Sequence, residues 1–283
     1  MAAFSPDALT LGGDLTIGRM GFGAMRITGR GIWGDPSDRA GAIALLRRVV
    51  ERGVCLIDTA DSYGPGTSET LIAEALHPYP EGVVIATKGG LVRPAPERWV
   101  ANGRPEHLKA ACEASLKRLK LARIDLYQLH AIDSAVPLAD QIGALVDLQR
   151  QGKIRHIGLS NVHGRELAAA RRLATIVSVQ NRYSIGDRTH DAVIDACVRD
   201  DITFLPWYPL GAGTLTKASG KLAEIARVRQ ATPAQIALAW LLRRAPIMLP
   251  IPGTASIAHL EENLAAARIH LTDTEFAALA GRP

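Results

Sequence analysis

A chain of 283 residues with 47% hydrophobic content can bury a large core, and a β/α barrel reaches this length without splitting. The net charge of +5 is not gathered into any block of like charges, which argues against a nucleic-acid surface. No apolar stretch is long enough to span a membrane.

Met1 to Leu11 lacks the basic and apolar regions of a leader, so a cytoplasmic protein is expected. Cys55, Cys112 and Cys197 are far apart, with no C-x-x-C. Cys55 and Cys112 have apolar neighbours and read as core residues. The histidines form no H-x-H or H-E-x-x-H, so no metal site is expected. The paired arginines Arg47-Arg48, Arg171-Arg172 and Arg243-Arg244 fall in helix-like stretches and read as solvated faces.

In chain order, Thr10-Leu11 and Leu15 to Ile17 flank Gly12-Gly13-Asp14 and predict a small hairpin. Gly21 to Met25 ends the next strand. Its glycines superficially resemble a dinucleotide fingerprint, but Gly29, Gly31 and Gly34 break the chain before any helix, so an open loop is predicted, with Trp33 available to line a pocket. Ser37 can cap a helix with an apolar face of Ala42, Leu45, Leu46, Val49 and Val50. A strand, Val54 to Ile57, ends at Asp58; a loop carrying Tyr63 and a helix from Ser68 to Leu76 follow. The third strand, Val83 to Thr87, ends at Lys88. The segment 89–103, with Arg93, Arg98, Trp99 and the prolines Pro94 and Pro96, reads as a long covering loop.

Pro105 opens a helix with Leu108, Ala111, Cys112, Ser115, Leu116 and Leu119 on one face. Strand four, Ile124 to Leu129, ends at His130. A helix from Leu138 to Gln151 stops at Gly152. Strand five is Ile154 to Ser160 and its helix Gly164 to Leu173; strand six is Ile176 to Gln180 and its helix Thr189 to Asp200. Strand seven, Thr203 to Pro206, leads into Trp207-Tyr208-Pro209-Leu210-Gly211-Ala212-Gly213. Helices at Leu222 to Arg229 and Pro233 to Arg243 follow, the second capped by Thr232. Strand eight is Met248 to Ile251, then a helix from Ser256 to Ala267, and a last helix from Thr272 with Glu275 completing a capping box. Strands alternating with helices in this way predict a closed α/β barrel of the (β/α)8 type, with an N-terminal hairpin and extra helices near the C-terminus, in one domain over 1–283.

Asp58, Lys88, His130, Ser160-Asn161 and Gln180 each close a predicted strand, and chemistry in such barrels sits at those ends. A tyrosine gives up a proton near neutral pH only if its pKa falls from about 10, and a lysine held by a buried carboxylate favours the tyrosinate. Tyr63, Lys88 and Asp58 offer that combination.

These residues resemble the aldo-keto reductase family along nearly the whole chain. Asp58, Tyr63, Lys88 and His130 match its catalytic positions in order. Gly152 to Asn161 (GKIRHIGLSN), Val179 to Tyr183 (VQNRY) and Ile251 to Thr254 through Glu262-Asn263 resemble three further family segments. Within the family, Gln235 to Leu242 with Leu249 to Thr254 and His259 to Asn263 is similar to bacterial members of the pyridoxal reductase (pyridoxine 4-dehydrogenase) type.

The resemblance implies NADPH-dependent reduction of an aldehyde or ketone, pyridoxal among the candidates, with hydride from nicotinamide C4. Tyr63 is implied as proton donor, assisted by Lys88 and Asp58, while His130 orients the carbonyl. It further implies that Ser160, Asn161 and Gln180 hold the nicotinamide carboxamide, Trp207 stacks on the ring, and Leu210, Gly211 and Gly213 approach the pyrophosphate. The adenosine end falls to Gly253, Thr254, Ser256, His259, Glu262 and Asn263. Where strong 2′-phosphate binders carry a lysine and an arginine, this chain has Gly253 and His259, which leaves NADH as the alternative cofactor. Met25, Trp33, Trp99 and Tyr208 are candidate substrate walls, suited to a flat or aromatic carbonyl.

The partner expected is a small-molecule carbonyl substrate, with no nucleic acid and no membrane, in a monomer or weak homo-oligomer. Two other readings stand beside the reductase. One is a cofactor-binding regulatory or redox-sensing subunit of the same fold. The other is a Schiff-base aldolase using Lys88. No tyrosine has the Tyr-x-x-x-Lys spacing of a short-chain dehydrogenase.

Overall fold

Apolar runs too short for helices, separated by amphipathic stretches, lead here to a parallel sheet wrapped by helices. The structure is a computed structural model and describes residues 8–217 and 220–280. The ends of the expected 1–283 domain lie outside the described residues.

The hairpin β1 (Ala8–Leu11) and β2 (Leu15–Gly18) precedes β3 (Phe22–Gly23), and a 3-10 turn, Ala24–Ile27, follows where an open loop was expected. Then come α1 (Arg39–Glu51), β4 (Leu56–Asp58), α2 (Thr67–Leu76) and β5 (Val84–Gly89). After a second hairpin, β6 (Leu91–Ala95) and β7 (Arg98–Ala101), the alternation resumes with α3 (Pro105–Leu119), β8 (Ile124–Leu129), α4 (Leu138–Arg150), β9 (Ile154–Ser160) and α5 (Gly164–Arg171). It ends with β10 (Ile176–Gln180), α6 (Asp191–Arg199), β11 (Thr203–Phe204), α7 (Lys221–Val228), α8 (Pro233–Arg244), α9 (Ile257–Ala265) and α10 (Asp273–Ala280).

The barrel sheet runs β11-β10-β9-β8-β5-β4-β3, and its ladders are parallel. Met248 to Ile251 supplies the last stave. It pairs with β11 through the Phe204–Met248 bridge and the Leu249 N to Phe204 O bond of 2.9 Å, and Pro250 O accepts from Gly21 N at 2.9 Å to close the ring. The expected eighth strand is thus in place but forms no ladder, because Pro250 and Pro252 lack the N–H that a ladder needs.

Two cores follow from this geometry. Leu56, Val84, Ala86, Leu126, Val177, Leu205 and Leu249 fill the barrel, and Leu11 and Ile17 of the first hairpin plug its N-terminal end. A larger cluster lies between staves and helices, with Leu45, Leu46 and Val49 of α1 and Leu108, Cys112 and Leu119 of α3. Staves covered on both faces read as unbroken apolar runs, which is why β5 is buried throughout. The first hairpin is held at the barrel floor by Asp14, which pairs with Arg155 and His156 at 2.6 Å each.

Four local expectations are corrected. Segment 89–103 is a hairpin with Val92 opposite Val100, not an irregular loop; Pro94 is tolerated because the ribbon has only edge strands. Asp38, not Ser37, caps α1, its Oδ1 accepting from Gly41 N at 2.8 Å. Cys112 is buried, but Cys55 is only partly so. The paired arginines are not merely solvated: Arg48 reaches Glu261 at 2.7 Å, Arg171 reaches Asp200 at 2.5 Å and Arg244 reaches Asp195 at 2.9 Å, bridging neighbouring helices. The Thr232–Gln235 and Thr272–Glu275 capping boxes both form.

Candidate active site

Three consecutive staves deliver charged or polar side chains to the same end of the barrel. Asp58 closes β4, Lys88 is the penultimate residue of β5, and His130 follows β8. Tyr63 lies in the turn between β4 and α2, where its N–H donates to Ala60 O at 3.2 Å.

Lys88 Nζ donates to Asp58 Oδ2 and to Thr59 O, both at 2.7 Å, and to Tyr63 Oη at 3.4 Å. Lys88 has no exposed surface and Asp58 is 2% exposed. Asp58 Oδ1 accepts from Gln180 Nε2 at 2.8 Å and from Gln128 Nε2 at 3.2 Å. A buried carboxylate with an ammonium on one oxygen and two amides on the other has its lone pairs well used, which is what such a pair needs in order to persist. The His130 ring packs edge-on to Tyr63 with centroids 5.9 Å apart, and its Nδ1 lies 3.3 Å from Ser62 Oγ.

The electrostatics differ from expectation at the phenol. Burial pushes the Tyr63 pKa up, and the Lys88 ammonium, though it pulls the other way, does not overcome this. Tyr63 therefore rests as a protonated phenol. For Lys88, burial works against the charge, but Asp58 and Tyr63 together outweigh it and leave the ammonium protonated. Burial, aided by Lys88, holds His130 well below the usual histidine range, so its imidazole is neutral.

A cavity of about 860 Å³ opens from this cluster. Asp58, Tyr63 and His130 line its inner end. Ser160, Asn161, Gln180, Trp207, Leu210, Gly213, Gly253, Thr254, His259, Glu262 and Asn263 also line it. So do Met25, Trp99 and Tyr208.

Several expected residues are placed differently. Lys88 sits behind Tyr63, outside the lining. Gly211, at φ 57°, starts a 3-10 turn and is set back from the cavity. Ser256 caps α9, its Oγ accepting from His259 N at 3.4 Å, and so supports the cavity end without lining it. Trp33 does not line the cavity, because its ring is turned to the Arg93 guanidinium, 5.6 Å away. The amides expected to read a carboxamide have internal partners. Gln180 Nε2 is on Asp58, while Asn161, at a left-handed φ of 57°, donates to His130 O at 3.0 Å and accepts from Trp207 Nε1 at 3.1 Å.

Arg26, Ile32, Leu91 and Gln128 were not singled out from the sequence. Arg26, Ile32 and Leu91 line the cavity, and Gln128 supports Asp58 from beneath. Gln128 carries a readable signal: it lies two residues before His130, so period-2 alternation turns both inward, and a polar residue facing a barrel interior needs a partner. Among the described residues, no group of His, Cys, Asp and Glu could hold a metal ion. No described helix is long and apolar enough to cross a membrane.

Below the site, Asp61 Oδ1 is sealed without a partner near buried Glu69, which accepts from Thr87 Oγ1 at 2.6 Å and Arg118 Nε at 2.7 Å. Burial and then the Glu69 charge push the Asp61 carboxyl up from 3.8 to about 8. A folded-state pKa raised above the unfolded one means that stability falls as pH climbs through the interval between them, here from about 4 to about 8. Asp61 as a whole is only half-buried, so the effect is discounted to roughly 1–2 kcal/mol. Asp61→Asn should flatten that slope between pH 5 and 9 in denaturant unfolding; a slope equal to the parent's would show that Asp61 ionises freely.

A model of the aldo/keto reductase family matches residues 19–281. The chain is 42% identical over 283 residues to pyridoxine 4-dehydrogenase of Escherichia coli, covering 98% of each chain. It is 46% identical over 267 residues to an uncharacterised oxidoreductase of Schizosaccharomyces pombe, covering 94% of this chain and 87% of that one. Among solved structures, a thermostable aldo-keto reductase in complex with the inhibitor epalrestat superposes with a TM-score of 0.87 at 33% identity, covering 97% and 98% of the two chains. An aldo/keto reductase from Klebsiella pneumoniae in complex with NADP and acetate gives 0.83 at 29% identity, covering 96% and 93%.

Proposed function

The chain belongs to the aldo/keto reductase family, and on that premise we propose that it reduces an aldehyde or ketone to the alcohol with NADPH, Tyr63 acting as proton donor. The observation that carries this reading is the buried Lys88 ammonium, 2.7 Å from Asp58 and 3.4 Å from the Tyr63 hydroxyl, behind a cavity that Tyr63 and His130 line. Held by residues that line this cavity, NADPH would supply a hydride to the carbonyl carbon.

The chain's own groups handle the oxygen. As charge develops there, the Tyr63 phenol releases its proton to it, and Lys88 stabilises the phenolate left behind. The Lys88 charge is thus weak as a promoter of phenolate at rest and useful once the proton has left. The Ser62 hydroxyl can donate to His130 Nδ1, and in that tautomer the neutral imidazole carries hydrogen on Nε2 for the carbonyl oxygen. Asp58, gripped by Gln128 and Gln180, fixes where the ammonium sits.

The residues present fit a dinucleotide. A Cβ on Gly23 would lie 2.7 Å from Ile251 O and one on Gly253 2.7 Å from Gly23 O, so the two backbones meet closely along the groove floor. The N-terminus of α9 offers amide donors to an anion at the far end. Trp207 offers a ring face, and Ser160, Asn161 and Gln180 offer exchangeable amide and hydroxyl groups for a carboxamide. Arg26 is exposed on the rim beside Gly253, between the catalytic cluster and α9. That location suits the pyrophosphate, which NADPH and NADH share. Arg26→Ala should weaken both cofactors by about tenfold, the worth of one exposed charged contact. Fluorescence titration checks this; a loss confined to NADPH would assign Arg26 to the 2′-phosphate instead.

Pyridoxal is a substrate candidate on two grounds. The Escherichia coli relative is a pyridoxine 4-dehydrogenase, and Trp99, Tyr208, Leu91, Ile32 and Met25 make an apolar, partly aromatic pocket. A panel of aldehydes including pyridoxal, run with NADPH and NADH in parallel, tests the reading. Tight cofactor binding with no turnover on any member would instead favour a regulatory subunit.

A further inference from the structure

One buried cation near the site has no part in the chemistry derived above. Arg93 on β6 is 8% exposed, and among the described residues no carboxylate lies within ion-pair reach of it. Burial works against the Arg93 charge and Glu97, beyond ion-pair distance, only partly offsets this, so what the guanidinium holds is informative. Its Nη1 donates to Ile32 O at 3.0 Å and Ser62 O at 3.2 Å, and its Nη2 to Gly31 O at 2.9 Å. Its guanidinium carbon lies 3.7 Å from the centroid of the Trp99 ring and 5.6 Å from that of Trp33.

Each contact leads to the substrate end of the cavity. The Trp99 ring is edge-on to Tyr63 at 6.3 Å and to His130 at 6.2 Å. Ile32, a β-branched residue, stands at φ 57°, a strained conformation that such residues rarely adopt and that persists only where the surroundings impose it. Its carbonyl takes hydrogen bonds from Arg93 and from Gly64 N, the latter at 3.2 Å. The β6–β7 ribbon that carries Trp99 is a separate two-stranded sheet, not hydrogen-bonded into the barrel ladders. Nothing in the barrel's strand pairing therefore fixes the ribbon over the site.

We propose that Arg93 is a positioning residue that fastens the β6–β7 ribbon to the loops carrying Ile32 and Tyr63, and so sets Trp99 and Ile32 as the walls that select flat aromatic carbonyls. The inference rests on the reading of the site as a carbonyl reductase. Lysine would not substitute, because a point charge on a flexible stem neither stacks on indole nor spans three carbonyls. Tyr63 itself is also held by Lys88 and by its own backbone turn, so loss of Arg93 acts on the pocket more than on the proton donor.

The test compares 4-nitrobenzaldehyde with propanal, which is too small to need both walls. Arg93→Met and Arg93→Lys should each raise KM for 4-nitrobenzaldehyde by about thirtyfold, with kcat within about threefold, in the range that one misplaced pocket wall produces. KM for propanal should change by less than about threefold. NADPH affinity and the thermal midpoint serve as controls for a folded groove. In a Trp99→Ala background, Arg93→Met should add clearly less than the roughly thirtyfold it adds in the parent, since one of the two walls it places is gone. An unchanged aromatic KM in either variant, or an equal fall in kcat for both aldehydes, overturns the proposal. If Arg93→Met does not fold, Arg93→Lys alone decides. Failure of the parent to turn over either aldehyde would count against the reductase reading, whereas failure of the Arg93 proposal shows only in the variant-to-parent ratios.

Discussion

Tyr63→Phe should lower kcat by at least about 10³-fold while leaving NADPH affinity within about twofold, because a positioned general acid contributes about 10²–10⁴-fold and water replaces it poorly in a closed site. The substitution is conservative in shape. Phenylalanine keeps the edge-on packing against Trp99 and His130 and loses only the hydroxyl that lies 3.4 Å from Lys88. Because burial holds the phenol protonated, the parent has the proton in place before substrate arrives, and the variant has none to give. His130 cannot take over, since burial keeps its imidazole neutral and a neutral imidazole is a far weaker acid than imidazolium. The measurement is single-turnover oxidation of bound NADPH with 4-nitrobenzaldehyde. A variant retaining a tenth or more of the parent rate would mean that some other group supplies the proton.

Much of this site could be read from the chain because each contributor sits at the end of an apolar run, and a β/α barrel collects those ends at one face. Strands β9 and β10 occupy the spans expected of them, Ile157-Gly158-Leu159 and Ile176 to Val179 each running into a polar end residue, Ser160 and Gln180. What could not be read lies in contacts between distant segments. Pro94, Pro96 and Gly103 made 89–103 look irregular, yet an edge ribbon tolerates them. The sequence names Arg93 only as a member of that loop; its seat against Trp33 and Trp99 belongs to the packed structure, and the same contact turns Trp33 away from the pocket. The direction of the Tyr63 shift was misjudged for a related reason: sequence shows that a lysine is near, whereas the depth of burial that outweighs it emerges only from the packed structure. Gln180 shows a further limit, because its role toward Asp58 depends on a partner that lies 122 residues away.

Lys88→Met is the second variant with a large expected effect, and it separates catalysis from stability. Removing the ammonium leaves Asp58 buried with amide donors on one oxygen and nothing on the other, and breaking a buried pair from one side costs about 3–5 kcal/mol. The stranded carboxylate is then a buried charge without its counter-charge, which is the source of that loss. Asp58→Asn added to Lys88→Met removes the unpaired charge while keeping a carbonyl for Gln128 and Gln180. The double variant should therefore recover most of the lost stability. Turnover should not recover: without the ammonium, the phenolate formed when Tyr63 releases its proton has no counter-charge, and both variants should remain about 10³-fold below the parent. Denaturant midpoints, paired with single-turnover rates, give both readouts on the same samples. If the single and double variants were equally stable, Asp58 and Lys88 would not be a mutually dependent buried pair; if the double variant regained activity with its stability, the ammonium would serve the fold alone.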